Sequence, residues 1–152
     1  MTRFELLRQR DGRLASLLDT ADAQQLRRIA SAIAHAAVER SGLVHPVITE
    51  ALHQLSITTR PDSKLRASVQ SVAEQLDEDY FVAKQPYEER EDAGKTEPAV
   101  LTAFARARAA SAVAAALGGD AHTAAAEAAY EGIIATDDSE HLIHVAESVF
   151  RI

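Results

Sequence analysis

Residues 99–135 decide the fold, and they read AVLTAFARARAASAVAAALGGDAHTAAAEAAYEGIIA. Seventeen of these 37 residues are Ala, the amino acid with the highest intrinsic helix propensity. Gly118, Gly119 and Asp120 interrupt the run, and this Gly-Gly-Asp sequence is typical of a turn between two helices. The stretch therefore predicts two Ala-rich helices that fold back on each other as an antiparallel hairpin at the centre of a helical bundle.

Two further apolar stripes predict amphipathic helices before this stretch. Their members recur at intervals of three and four residues, the spacing that lines one face of a helix: Leu26, Ile29, Ile33 and Ala37 in one, and Leu65, Val69, Val72 and Leu76 in the other. The sequence predicts an all-α single domain over residues 1–152, a bundle of six to seven helices. The expected helices cover roughly residues 3–18, 22–41, 46–55, 61–81, 98–117, 121–135 and 139–151, with a loop over 85–97.

Composition and motifs exclude several classes of protein. The chain has no Cys, which rules out disulfide scaffolds, zinc–thiolate sites and thiol nucleophiles. The N-terminal residues lack the apolar run of a signal peptide, and we expect no membrane span, so the sequence favours a cytoplasmic protein. No P-loop, Gly-x-Ser-x-Gly or Gly-x-Gly-x-x-Gly motif occurs, so we expect no cofactor and favour a non-enzymatic role.

The negative charge is concentrated in one segment. The formal net charge is −7, and residues 74–97, with nine acidic and three basic side chains, have a net charge of −6. An acidic surface disfavours nucleic acid and anionic membranes as partners and favours a basic protein.

Aromatic residues interleave with these acids. Acidic side chains at the C-terminal end of a helix oppose its dipole, and aromatics beside charges are typical of protein-binding hot spots. The segment therefore predicts a protein–protein interaction module that binds a basic protein partner, either as a regulator or in the way that immunity proteins and antitoxins mask their partners. The other interpretation is a solvated charged loop. The candidate partner-binding residues are Asp77, Glu78, Asp79, Tyr80, Tyr87, Glu88, Glu89, Glu91 and Asp92.

Arg108 lies in the middle of the apolar face of the first Ala-rich helix. A guanidinium in that position needs a carboxylate or carbonyl partner, because an unpaired buried charge is costly. Glu127 and Glu131 are the nearest candidates, since the predicted turn folds their helix back against this one. The pattern predicts a structural ion pair or, alternatively, an anion site between the helices.

The histidines provide only an incomplete metal pattern. Glu50 and His53 share one helix face, and His141 and His144 share another. Di-iron bundles need two Glu-x-x-His motifs and two further Glu residues, so we expect no metal. The alternative function is a small-ligand-binding or metal-binding protein, or an enzyme, with a pocket at the Ala-rich hairpin. A homo-oligomer formed through the Ala faces is a further alternative.

Overall fold

The computed structural model describes residues 1–58, 60–88 and 97–151. These residues form eight α-helices and a short 3-10 helix, Gln85–Tyr87, with no strand among them. The architecture confirms the predicted all-α fold class. The helices in chain order are α1 Arg3–Arg10, α2 Gly12–Thr20, α3 Ala23–Ser41, α4 Pro46–Ile57, α5 Ser63–Lys84, α6 Pro98–Ala116, α7 Ala121–Thr136 and α8 Ser139–Val149.

The predicted count of six to seven helices is wrong because the first expected helix, residues 3–18, is two. Asp11 lies between them in an extended conformation, with φ −151°. Its carboxylate accepts hydrogen bonds from the backbone N–H groups of Arg13, at 3.0 Å, and Leu14, at 3.3 Å. Because this side chain satisfies the first free N–H groups of a new helix, the chain restarts at Gly12 instead of continuing.

The bounds of other helices also differ from the expected ones. The helix α4 continues to Ile57 and α5 to Lys84, whereas α8 ends at Val149. In α4 the Ser56 hydroxyl donates to the carbonyl of Leu52 within the helix, so Ser56 and Ile57 extend the helix beyond its expected end at residue 55. The start of the expected loop 85–97 is the 3-10 helix, and residues 89–96 lie outside the described part of the chain.

The centre of the bundle differs from the predicted hairpin in one respect. The Ala-rich helices α6 and α7 pack along each other, joined by residues 117–120, and both also pack against α3. The side chains of Ile29 and Ile33 on α3 are fully buried. The centre is therefore the trio α3, α6 and α7, because the Ala faces of α6 and α7 are too shallow to fill the core without the larger side chains of α3.

Gly132 permits the close packing of this centre. A Cβ atom at this position would lie 2.6 Å from Cγ2 of Ile33 on α3 and 3.2 Å from Cδ1 of Leu142 on α8. Both neighbours are fully buried, so neither has free space to move away. The missing side chain lets α3 and α8 approach α7, and buried apolar residues from all eight helices join in one cluster.

The helix α6 is long and apolar enough to cross a membrane by length and composition alone, and it is the one such helix in the described residues. Half of its apolar window is buried inside the bundle. A core helix of this composition meets the same criterion.

Candidate functional sites

Asp77, the first of the predicted partner-binding acids, is half-buried and paired with a residue of α6. Its Oδ1 lies 2.6 Å from Nη2 of Arg108 on α6, in a half-buried ion pair. The carboxylate is therefore occupied within the chain. This pairing also offsets the unfavourable position of an acid near the C-terminal end of α5, which continues as a helix to Lys84.

Glu78 and Asp79, the next two acids, are exposed. Asp79 accepts a hydrogen bond from the amide of Gln75, at 3.1 Å, one turn earlier on the same helix. The half-buried ring of Tyr80 packs on Phe104 of α6, with 5.1 Å between the ring centroids. This end of α5 thus combines exposed acids with an aromatic contact to α6.

Large apolar side chains lie exposed beside these acids. Phe81 is 57% exposed, Val82 64% and Leu101 49%. The ring of Phe81 lies 5.5 Å from that of Tyr80, which itself contacts Phe104, and Leu101 precedes Phe104 by one turn of α6. We call Glu78, Asp79, Phe81, Val82 and Leu101 the acidic apolar surface.

The remaining predicted partner-binding residues follow in sequence. Tyr87 is half-buried in the 3-10 helix, and Glu88 after it is exposed. Glu89, Glu91 and Asp92 lie outside the described residues.

Arg108 and Glu131 form the centre of a partly buried charge cluster. Nη1 of Arg108 lies 3.1 and 3.4 Å from the two carboxylate oxygens of Glu131, which is 7% exposed. Nη2 of Arg3 on α1 lies 3.8 Å from the same carboxylate. Glu127, the other expected partner, has no ion pair with Arg108. The structure brings in Asp77 instead, so one guanidinium connects α5, α6 and α7.

Burial is the main influence on the carboxyl group of Glu131. It raises the pKa of Glu131 above its ordinary value, and the attraction of Arg108 and Arg3 opposes this only in part. Burial lowers the pKa of Arg108, but the charges of Glu131 and Asp77 outweigh it, so the net shift is upward. Arg108 therefore stays charged, while burial makes the carboxylate of Glu131 easier to protonate.

A cleft of about 220 Å³ opens beside this cluster, between α1, α5, α6 and α7. Sequence reasoning placed Glu127 and Glu131 near such a pocket but missed the lining residues from α1 and α5. Arg66 and Gln70 are four residues apart and flank the apolar stripe of α5. This spacing places both on one helix face, and it is the sequence pattern from which they could have been identified. The polar side chains that line the cleft are Arg3, Arg66, Gln70, Ser111, Glu127 and Glu131.

The metal candidates do not converge. Glu50 and His53 are exposed on α4, and His144 is exposed on α8 with His141 half-buried near its start. Among the residues that the structure describes, no group of three or more His, Asp or Glu side chains is arranged to hold a metal ion.

No protein-family model, no curated protein and no solved structure matches this chain. Its function is therefore inferred from the geometry of its own residues.

Proposed function

We propose that this chain is a protein–protein interaction module that binds a basic protein partner through the acidic apolar surface. The observation that supports it is the exposure of Phe81, Val82 and Leu101 beside Glu78 and Asp79. Exposed apolar patches with polar rims mark interaction sites on proteins.

The chemistry of the surface defines the partner. Phe81 and the adjacent Tyr80 have the aromatic character of binding anchors, and they require an apolar counterpart. The acids, within a segment of net charge −6, attract positive charge at long range and raise the rate of association. The partner is thus a protein with an apolar patch surrounded by Lys or Arg. The module acts as one helical domain in the cytoplasm, as a regulator or by masking its basic partner.

Paired variants test this proposal. One replaces Phe81→Ser and Val82→Ser, a second replaces Glu78→Gln and Asp79→Asn, and a control replaces Ile57→Ser. Ile57 is also exposed, at 65%, but it precedes α5 and lies toward the opposite end of that helix. Each protein is used to capture partners from cell extract at low and at high salt, followed by quantitative mass spectrometry.

The expected result is a basic protein recovered by the unaltered chain and the control but lost with both surface variants. The Glu78 and Asp79 variant should also reduce the dependence of recovery on salt. Equal recovery of every captured protein by all four chains would contradict the proposal.

The cleft favours a second candidate function, a small-ligand-binding protein. Its position against α6 and α7 supports this second proposal. The supporting observation is a set of polar side chains with unused hydrogen-bonding capacity, which line a concave site.

A further inference from the structure

The cleft between α1, α5, α6 and α7 contains unpaired charges of both signs. The guanidinium of Arg66 has no hydrogen bond or ion pair with any residue in the described part of the chain, and its Nε is buried without a partner. The carboxylate of Glu127 likewise has no partner among those residues. A buried polar group without a partner carries a cost in stability, and the Nε of Arg66 is such a group, whereas the carboxylate of Glu127 is half-buried and open to solvent. An unpaired cation and an unpaired anion in one cleft together suit a ligand that carries both charges.

The four charged side chains that line the cleft carry no net formal charge together. The carboxylate of Glu131 is bonded to Arg108 and lies near Arg3. It is therefore not free to bind a cationic ligand, whereas the carboxylate of Glu127 is. Arg3 and Arg66 offset the charges of Glu127 and Glu131, and a lining with no net formal charge suits a ligand with no net charge. A ligand that uses Arg66 and Glu127 together must carry an anion and a cation of its own.

The neutral side chains and the size of the cleft further restrict the class of ligand that can bind. Gln70 and Ser111 supply a donor and an acceptor each, and neither side chain is used in a hydrogen bond with the described residues. The volume of about 220 Å³ is below the range of about 300–1,000 Å³ typical of drug-sized ligands. The ligand is therefore small and polar.

We propose that this cleft binds a small zwitterion of the α-amino acid class, with its carboxylate on Arg66 and its ammonium group on Glu127. The inference deepens the second candidate function and is independent of the acidic apolar surface. Arg66 provides a planar pair of donors that matches a carboxylate, and Glu127 accepts from an ammonium group. A simple anion would leave Glu127 unpaired and would also be repelled by it.

Nuclear magnetic resonance titrations of the ¹⁵N-labelled full chain test this site. The probes are glycine and L-alanine as zwitterions, acetate as the carboxylate alone and methylammonium as the cation alone. We expect glycine or alanine to shift the backbone resonances of Arg66, Gln70, Ser111 and Glu127, and to bind at least tenfold more tightly than acetate or methylammonium. Absence of such shifts with both zwitterions at millimolar concentration would overturn the proposal, and so would equal binding of acetate.

Matched variants locate the two charges. Arg66→Gln and Glu127→Gln should each weaken zwitterion binding about tenfold or more, the effect of losing one charge-assisted hydrogen bond. Arg28→Gln and Glu50→Gln, which change exposed residues outside the cleft, should leave it unchanged. Unaltered affinity for the zwitterion in both cleft variants would overturn the assignment of the two charges. If circular dichroism shows that either variant does not fold, the titrations of the unaltered chain with the four probes test the proposal. The Phe81→Ser and Val82→Ser variant should bind the zwitterion normally, so failure of one proposal does not imply failure of the other.

Discussion

Nη1 of Arg108 lies 3.1 Å from Oε2 of Glu131, and this contact joins the Ala-rich helices α6 and α7. The same guanidinium bonds to Asp77 on α5. Small Ala side chains allow close helix packing but provide little to fix the alignment of one helix against another, whereas a charged contact has a defined geometry. We infer that the cluster around Arg108 sets the alignment of α5, α6 and α7, which are three of the four helices around the cleft, and that α5 and α6 support the acidic apolar surface.

Replacement of Arg108 should therefore destabilise the fold. Arg108→Met leaves Asp77 without its ion-pair partner and Glu131 buried with only Arg3 nearby. We expect the free energy of unfolding to fall by about 2–4 kcal/mol, the typical cost of removing one member of a largely buried charged pair. Urea unfolding measures this loss.

Arg106→Met is the matched control, since Arg106 is exposed two residues earlier on the same helix. That variant should change the free energy of unfolding by no more than about 0.5 kcal/mol. Equal losses in the two variants would show that the Arg108 cluster has no special role in stability.

The raised pKa of Glu131 predicts a specific dependence of stability on pH. Because its folded-state pKa lies above the ordinary value of 4.5, the native state takes up this proton more readily than the unfolded state. Its contribution to stability is fully present below pH 4.5 and is lost as the pH rises through the folded-state pKa. The charged groups that face it are Arg3 from α1, Asp77 from α5 and Arg108 from α6.

Glu131→Gln provides the comparison, because its side chain is neutral at every pH. The free energy of unfolding of the unaltered chain minus that of the variant should fall as the pH rises above 4.5. Urea titrations at a series of pH values on both sides of 4.5 measure this difference. A difference that stays constant or grows with pH would mean that the ion pairs, and not burial, dominate at Glu131.

Gly132 should resist even the smallest substitution. Gly132→Ala places a Cβ atom against Ile33 and Leu142, and overpacking of this kind costs about 1–3 kcal/mol. The higher helix propensity of Ala recovers about 1 kcal/mol, so we expect a net loss of up to about 2 kcal/mol. Thermal unfolding of Gly12→Ala supplies the control, since no atom lies within 4 Å of a Cβ there. A Gly132→Ala chain as stable as this control would refute the close packing of α7.

Asp138 should stabilise the start of α8 in its ionised form. The backbone N–H of His141 and, after it, Arg40 hold the pKa of Asp138 below its ordinary value of 3.8. A depressed folded-state pKa gives stability that is present above 3.8 and is lost as the pH falls through the folded-state value. The Asp138→Ala variant should thus be less stable near neutral pH, and the deficit should shrink in acid. A deficit of the same size near pH 7 and below pH 3.8 would contradict this role.

The fold class could be predicted from the sequence because apolar spacing of three and four residues is a local signal. Gly12 marks a weak point in the first expected helix, but the sequence alone does not show that the carboxylate of Asp11 caps a new helix there. The central position of α3 was missed for a similar reason. Its apolar stripe is visible in the sequence, but the partner of that stripe is a property of the folded chain.

For the candidate sites too, the sequence shows local patterns but not the contacts between distant residues. Arg108 stands out as a charge on an apolar face, and Glu131 is placed near it by a short turn. Asp77 lies 31 residues before Arg108 in the sequence, so no local pattern connects them. The exposure of Phe81 and Val82 could have been found, because both fall off the stripe that continues through Leu76 to Tyr80.

Photo-cross-linking at position 82 tests most directly whether the acidic apolar surface binds a basic protein. A photoreactive amino acid replaces Val82 in one chain and Ile57 in a second. Both positions are exposed and aliphatic, but Val82 lies near the C-terminal end of α5, whereas Ile57 ends α4 before α5 begins. Irradiation in living cells should attach a basic protein to the chain labelled at position 82 and not to the chain labelled at position 57. The same products from both chains, or none from position 82, would contradict the proposed function.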